Sequence, residues 1–203
     1  MIGSIESGLL SIDFSNRTTE EKMDIRRVML WTAAVMVCFV SVIMAQTDRG
    51  TAEATINGKK VTISYGRPSI NGPALKGKDL FTVAPVGTVW RLGRNEATTI
   101  ESTGKLVVAG KELEPGKYTL WAKKTGDDSW VIGFHPTTTQ PNGKPLWGVP
   151  ELKEGYVAEL PLKPEKAKDT AELLTISLKP AKNQAELVIH WGGVEQSGMF
   201  GVK

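Results

Sequence analysis

Val89 to Ile100, "VWRLGRNEATTI", places Arg91, Arg94, Asn95 and Glu96 within six residues, among apolar neighbours. A carboxylate beside a guanidinium can orient a polar ligand through charge-assisted hydrogen bonds. The same groups can also do no more than tie down a turn. Alternation puts Trp90 and Leu92 on one face and Arg91 on the other. Gly93 then breaks the strand, as at a bulge or tight bend. Asn95 follows the break, where an amide side chain often bonds local backbone. Glu96 is therefore expected to accept hydrogen bonds from an arginine, with Arg91 the first candidate and Arg67 the second. Arg67, Arg91, Asn95 and Glu96 form the candidate polar site.

Two indoles could stack on a ligand. Trp147 lies between a proline and a glycine on a long connection, and Trp121 shares its strand face with Lys123. Each could instead pack against the sheet, because aromatic rings bury large areas. His135 and His190 are the only histidines. They form no close-spaced pair of the His-x-x-x-His kind, so no metal is assigned and no cofactor is implied. No Gly-x-Ser-x-Gly elbow and no phosphate-binding glycine loop is present. A pair of acids for glycoside cleavage stays open, since their separation is spatial.

The elements that must hold these residues read as strands. Short alternating or β-branched runs occur at 61–65, 88–92, 97–101, 105–109, 117–123, 129–135, 156–162, 173–179 and 185–191. Turn-like stretches separate them: "ING" at Ile56–Gly58, "EPG" at Glu114–Gly116, "TGDD" at Thr125–Asp128 and "KNQ" at Lys182–Gln184. All eleven prolines and nineteen of the 21 glycines fall after residue 45. The fold class is all-β, an antiparallel β-sandwich of about nine short strands following an N-terminal signal helix. Only Lys163 to Leu173 could hold a short helical turn. Trp130, Ile132 and Phe134 share one predicted core face, and Leu187, Ile189 and Trp191 another. Two long connections, 64–81 and 135–156, are loops of a length that often carries binding groups.

Arg26 and Arg27 precede eighteen uncharged residues, Val28 to Ala45, and a polar start follows at Gln46. That pattern is a secretory signal peptide with cleavage after Ala45. The rival is an uncleaved anchor, since eighteen apolar residues just span a bilayer. Residues 1–22 are a disordered extension or a mis-assigned start ahead of Met23, 23–45 the signal peptide, and 46–55 a flexible leader. Residues 56–203 are a single β-sandwich domain. The one cysteine, Cys38, lies inside the apolar run, so the domain has neither disulfides nor a thiol nucleophile. A net charge of +4 over residues 46–203, spread along the chain, argues against a nucleic-acid partner.

"YGRPSINGPAL", "VAPVGTVWRLGRNEATTI", "LEPGKYTLW" and "TISL" stand in an order that resembles exported bacterial proteins grouped as domain of unknown function 2911. The resemblance runs from Ile56 to about Trp191 and is most specific at Trp90 to Thr98. It implies a secreted or periplasmic β-rich domain and transfers no catalytic residue. It makes Trp90, Arg91, Gly93, Asn95 and Glu96 look like a signature.

The expected function is non-enzymatic binding of a small polar molecule, a saccharide or an envelope partner protein. A membrane is involved only through the signal segment if it stays uncleaved. One alternative is a hydrolase with Glu96 as general acid or base beside Arg91 or Arg67. Another is a structural assembly module of the cell envelope.

Overall fold

In the computed structural model the described residues are 49–147 and 155–203. The expected extension over 1–22 and the signal peptide over 23–45 lie outside them. Among the described residues no helix is long and apolar enough to cross a membrane.

The chain opens on a hairpin. β1 (Arg49–Ile56) and β2 (Lys59–Gly66) pair antiparallel through Asn57 and Gly58, both at positive φ (52° and 72°). An Asn-Gly pair in that conformation makes the two-residue turn whose twist matches the flanking strands. Residues 49–55 are thus strand, and the flexible leader predicted for 46–55 is corrected over this stretch. Its alternation carries only Ala52, Ala54 and Ile56 towards the interior, a weak apolar signal for an edge strand.

The remaining elements are α1 (Leu80–Val83), β3 (Val89–Trp90), β4 (Thr98–Ser102), β5 (Leu106–Val108), β6 (Lys111–Leu113), β7 (Gly116–Lys124), β8 (Trp130–His135) and β9 (Ala158–Pro161), then β10 (Lys163–Ala181) and β11 (Gln184–Val202). One sheet runs β1-β2-β4-β7-β8-β9, with β3 also paired to β7, and the second runs β10-β11-β5-β6. All pairings are antiparallel. The all-β class is as the sequence predicts, but among the described residues eleven strands replace nine, and two of them are 19 residues long. The helical turn predicted within Lys163–Leu173 is instead the first half of β10. Its Lys- and Glu-rich composition suits an exposed edge strand, where charged side chains discourage further pairing.

One hydrophobic core fills the space between the sheets. From the larger sheet, register brings Ala52, Ile63 and Ile100 into one row, Leu120, Phe134 and Ala158 into a second, and Ala122, Ile132 and Leu160 into a third. Leu174, Ile176, Leu187, Ile189 and Trp191 face them from the smaller sheet, all buried. Both core faces predicted from alternation are found there. At one end Trp90 stacks on Trp191 at 5.4 Å, and Phe81 meets Trp90 and Trp130 edge-on. α1 delivers Phe81 to this cluster. Asp79 caps its first turn through Thr82 N at 2.8 Å, and buried Lys124 donates to Ala84 O at its other end.

Candidate functional site

The outer face of the larger sheet carries a transverse row of hydroxyls. Register aligns Thr51, Ser64, Thr99 and Thr119 on four neighbouring strands, with His135 beyond. Each comes from the polar position of an alternating run, so the inward partners of these residues fill the core. The connection after β8 folds back over this face as a small hairpin, with Thr139 bridged to Pro145. Leu146 packs with Trp121 and Ala97, and Leu146 O accepts from Ala97 N at 2.8 Å. Between hairpin and sheet lies a cleft of about 380 Å³. Its walls include Arg49, Ser64, Glu96, Thr99, Lys117 and Thr138.

Glu96 reaches this cleft because the chain bends sharply after β3. Leu92 and Asn95 adopt positive φ (50° and 63°). Thr98 locks the bend by donating its hydroxyl to Leu92 O at 2.6 Å, while Thr98 N donates to Arg91 O at 3.2 Å. The expected arginine–Glu96 bond forms, but with a different arginine. Arg49 Nη1 donates to Glu96 Oε2 at 3.0 Å and to Glu96 O at 3.3 Å. Its Nε donates to Ser64 Oγ at 3.3 Å and its Nη2 to Ser64 O at 3.1 Å. Four bonds fix the guanidinium plane across β1, β2 and the bend.

The two arginines named from sequence go elsewhere. Arg67 donates to Leu174 O and Thr175 Oγ1, stapling the exit of β2 to β10. Arg91 donates to Trp147 O and lies over the Trp147 ring at 5.5 Å, a cation–π contact. Asn95 stays in the bend, where with Leu92 it takes a positive φ. Trp147 is exposed at 47 %, with Arg91 occupying a ring face. Trp121 is fully buried and is not an exposed stacking platform. Its Nε1 donates to Thr119 Oγ1 at 2.9 Å, and Thr119 in turn donates to Thr137 O. The lysine on its face misleads because a loop, invisible to strand alternation, roofs the indole.

Tyr156 completes the roof. Its ring lies so close to Gly133 that an added Cβ would stand 2.4 Å away. Burial, with a smaller push from Glu159, holds its phenol above the usual tyrosine range. Among the described residues no cluster of three His, Cys, Asp or Glu side chains could hold a metal ion.

The Arg49–Glu96 pair is only partly shielded, its side chains 28 % and 36 % exposed. A double-mutant cycle of Arg49→Met and Glu96→Gln, read by urea denaturation, is expected to give a coupling of about 0.5–1 kcal/mol. The same cycle with Arg91→Met in place of Arg49→Met is expected to show coupling near zero.

The chain belongs to the family described as protein of unknown function DUF2911, whose model matches residues 47–198. That span contains every residue of the cleft. No curated protein and no solved structure matches the chain.

Proposed function

We propose that this protein is an exported, secreted or periplasmic, binding protein whose cleft between the 138–146 hairpin and the outer sheet face holds a small polar molecule with an anionic group. One observation carries the reading. The Arg49 guanidinium is held by Ser64 and Glu96 at the wall of a cleft of about 380 Å³, a size suited to a small ligand. Such immobilised polar groups bind with little loss of side-chain entropy. Glu96 offsets Arg49, and Lys117 adds a positive charge with no carboxylate in salt-bridge range among the described residues. Thr99, Thr138 and Thr139 supply hydroxyls that can donate or accept.

Saccharide recognition is less well supported. No aromatic ring lines the cleft among the described residues, so a sugar face has nothing there to stack on. Hydrolysis is also less well supported, because Glu96 is the sole carboxylate among those lining residues and is already engaged by Arg49.

The test is a calorimetric screen of small hydroxy-carboxylates against neutral polyols of the same size. The carboxylates are expected to bind, and Lys117→Met to weaken them about tenfold, the effect of one charge-assisted hydrogen bond. Equal binding of the polyols, or a Lys117→Met protein with unchanged affinity, would refute an anion site.

A further inference from the structure

The cleft beneath the 138–146 hairpin has two unlike ends, and strand register sets them apart. Arg49 stands two residues before Thr51 on β1, and Lys117 two residues before Thr119 on β7. β1 and β7 run in opposite senses, so the two cations flank the hydroxyl row from opposite sides. Their rows are four residues apart, about 13 Å along the strands. Thr99 lies in the row between them.

The hydrogen-bonding capacity left open also differs between the ends. A guanidinium has five N–H groups, and Arg49 uses four, which leaves one on Nη2. Glu96 Oε2 accepts from Arg49, while Oε1 has no partner among the described residues. Lys117, Thr99 and Thr138 make no side-chain hydrogen bond among the described residues, and all three line the cleft. Thr119 differs, because it accepts from Trp121 Nε1 and donates to Thr137 O. Arg49, Glu96, Thr99 and Thr138 are half-buried and Lys117 is exposed, so this capacity is open to a ligand.

Each end selects one chemistry. A carboxylate at the Arg49 end would stand against Glu96 Oε1, and an ammonium there would stand against the guanidinium. A hydroxyl suits both partners, since it accepts from Nη2 and donates to Oε1. Lys117 suits an anion, and Glu101, its cross-strand neighbour, is not among the lining residues. Arg49 and Lys117 against Glu96 leave one net positive charge in the lining. One carboxylate matches it, whereas a phosphate monoester would bring about 1.5 to 2 negative charges. We propose that the cleft takes an open-chain polyhydroxy monocarboxylate, with its carboxylate on Lys117, a middle hydroxyl on Thr99 and its far hydroxyl between Arg49 Nη2 and Glu96 Oε1. This inference rests on the anion reading of the same cleft and adds the class and direction of the ligand.

The test is calorimetric titration of the protein, expressed from its full sequence, with sodium salts of gluconate, glucarate and hexanoate, and with sorbitol. Gluconate carries both features. Glucarate replaces its far hydroxyl with a second carboxylate, hexanoate lacks the hydroxyls, and sorbitol lacks the charge. Gluconate is expected to bind about tenfold more tightly than each of the others. Thr99→Val keeps the shape of a side chain that makes no bond of its own. It is expected to lower the preference for gluconate over hexanoate about fivefold. Glucarate or hexanoate binding as tightly as gluconate, or an unchanged preference in the Thr99→Val protein, would overturn the ligand class while leaving an anion site. No binding of any carboxylate, or sorbitol equal to gluconate, would overturn the anion reading and this inference with it.

Discussion

Phe134→Ala is expected to lower stability by about 3–5 kcal/mol, the range for truncating a fully buried phenylalanine. The ring is 0 % exposed and sits between Leu120 and Ala158 in the second row of the larger sheet. Strands on both sides hold the backbone in register, so the walls of the resulting cavity cannot collapse far, which puts the cost at the upper end of what transfer alone would give. Phe134 points into the core, whereas the cleft lies on the opposite face of the same sheet. Urea denaturation should therefore show a large loss of stability, while the Arg49–Glu96 coupling stays as in the parent protein. A loss below about 1 kcal/mol would mean that the side chain is not enclosed as described.

The predicted faces of β8 and β11 succeed for one physical reason. A strand buried on one side writes its orientation into every second residue, and both runs are long enough to show it. The failures have equally definite causes. β1 carries small residues at its inward positions, so its pattern is faint, although the Asn57-Gly58 turn already required a strand before it. The first half of β10 is charged because it is exposed, and exposure erases alternation in an edge strand much as it does in a helix. Trp121 stays ambiguous from its strand neighbours alone, because its burial comes from Leu146 and Tyr156 of a distant loop.

The candidate site was legible in part. Glu96 does line the cleft, and it is bonded to an arginine as expected. Its partner was missed because Arg49 sits 47 residues away and depends on the β1–β2 hairpin for its position. The hydroxyls were missed for a related reason. Ser64, Thr99 and Thr119 are ordinary polar strand positions until register aligns them. The stretches that carry the family resemblance mostly hold the fold together. Tyr65 Oη donates to Ile176 O and Arg67 to Leu174 O, both across to β10. Trp90 stacks in the core and Leu92 is fully buried. Of the stretch Trp90–Glu96, Glu96 is the residue that faces the cleft.

Gly66→Ala is expected to damage fold and site together. A Cβ at Gly66 would stand 1.9 Å from Arg94 O and 2.6 Å from Arg94 N. Both are backbone atoms, so no rotamer change relieves the clash. Gly93 closes the same contact from the other side, its own Cβ position lying 3.0 Å from Gly66 N and O. Gly66 does not have a positive φ, so glycine is required here for space and not for backbone conformation. The bend from Arg91 to Ala97 must move away from the end of β2 to admit the methyl group. That movement strains the Thr98 bonds to Arg91 O and Leu92 O, and it carries Glu96 away from Arg49. Stability is expected to fall by about 3 kcal/mol, the upper end for an overpacked site. In the Gly66→Ala background the Arg49–Glu96 coupling is expected to vanish, which separates this variant from Phe134→Ala. Urea denaturation of the four-member cycle in that background measures both quantities. A change in stability within about 0.5 kcal/mol, typical of a surface substitution, would show that the bend does not rest on β2.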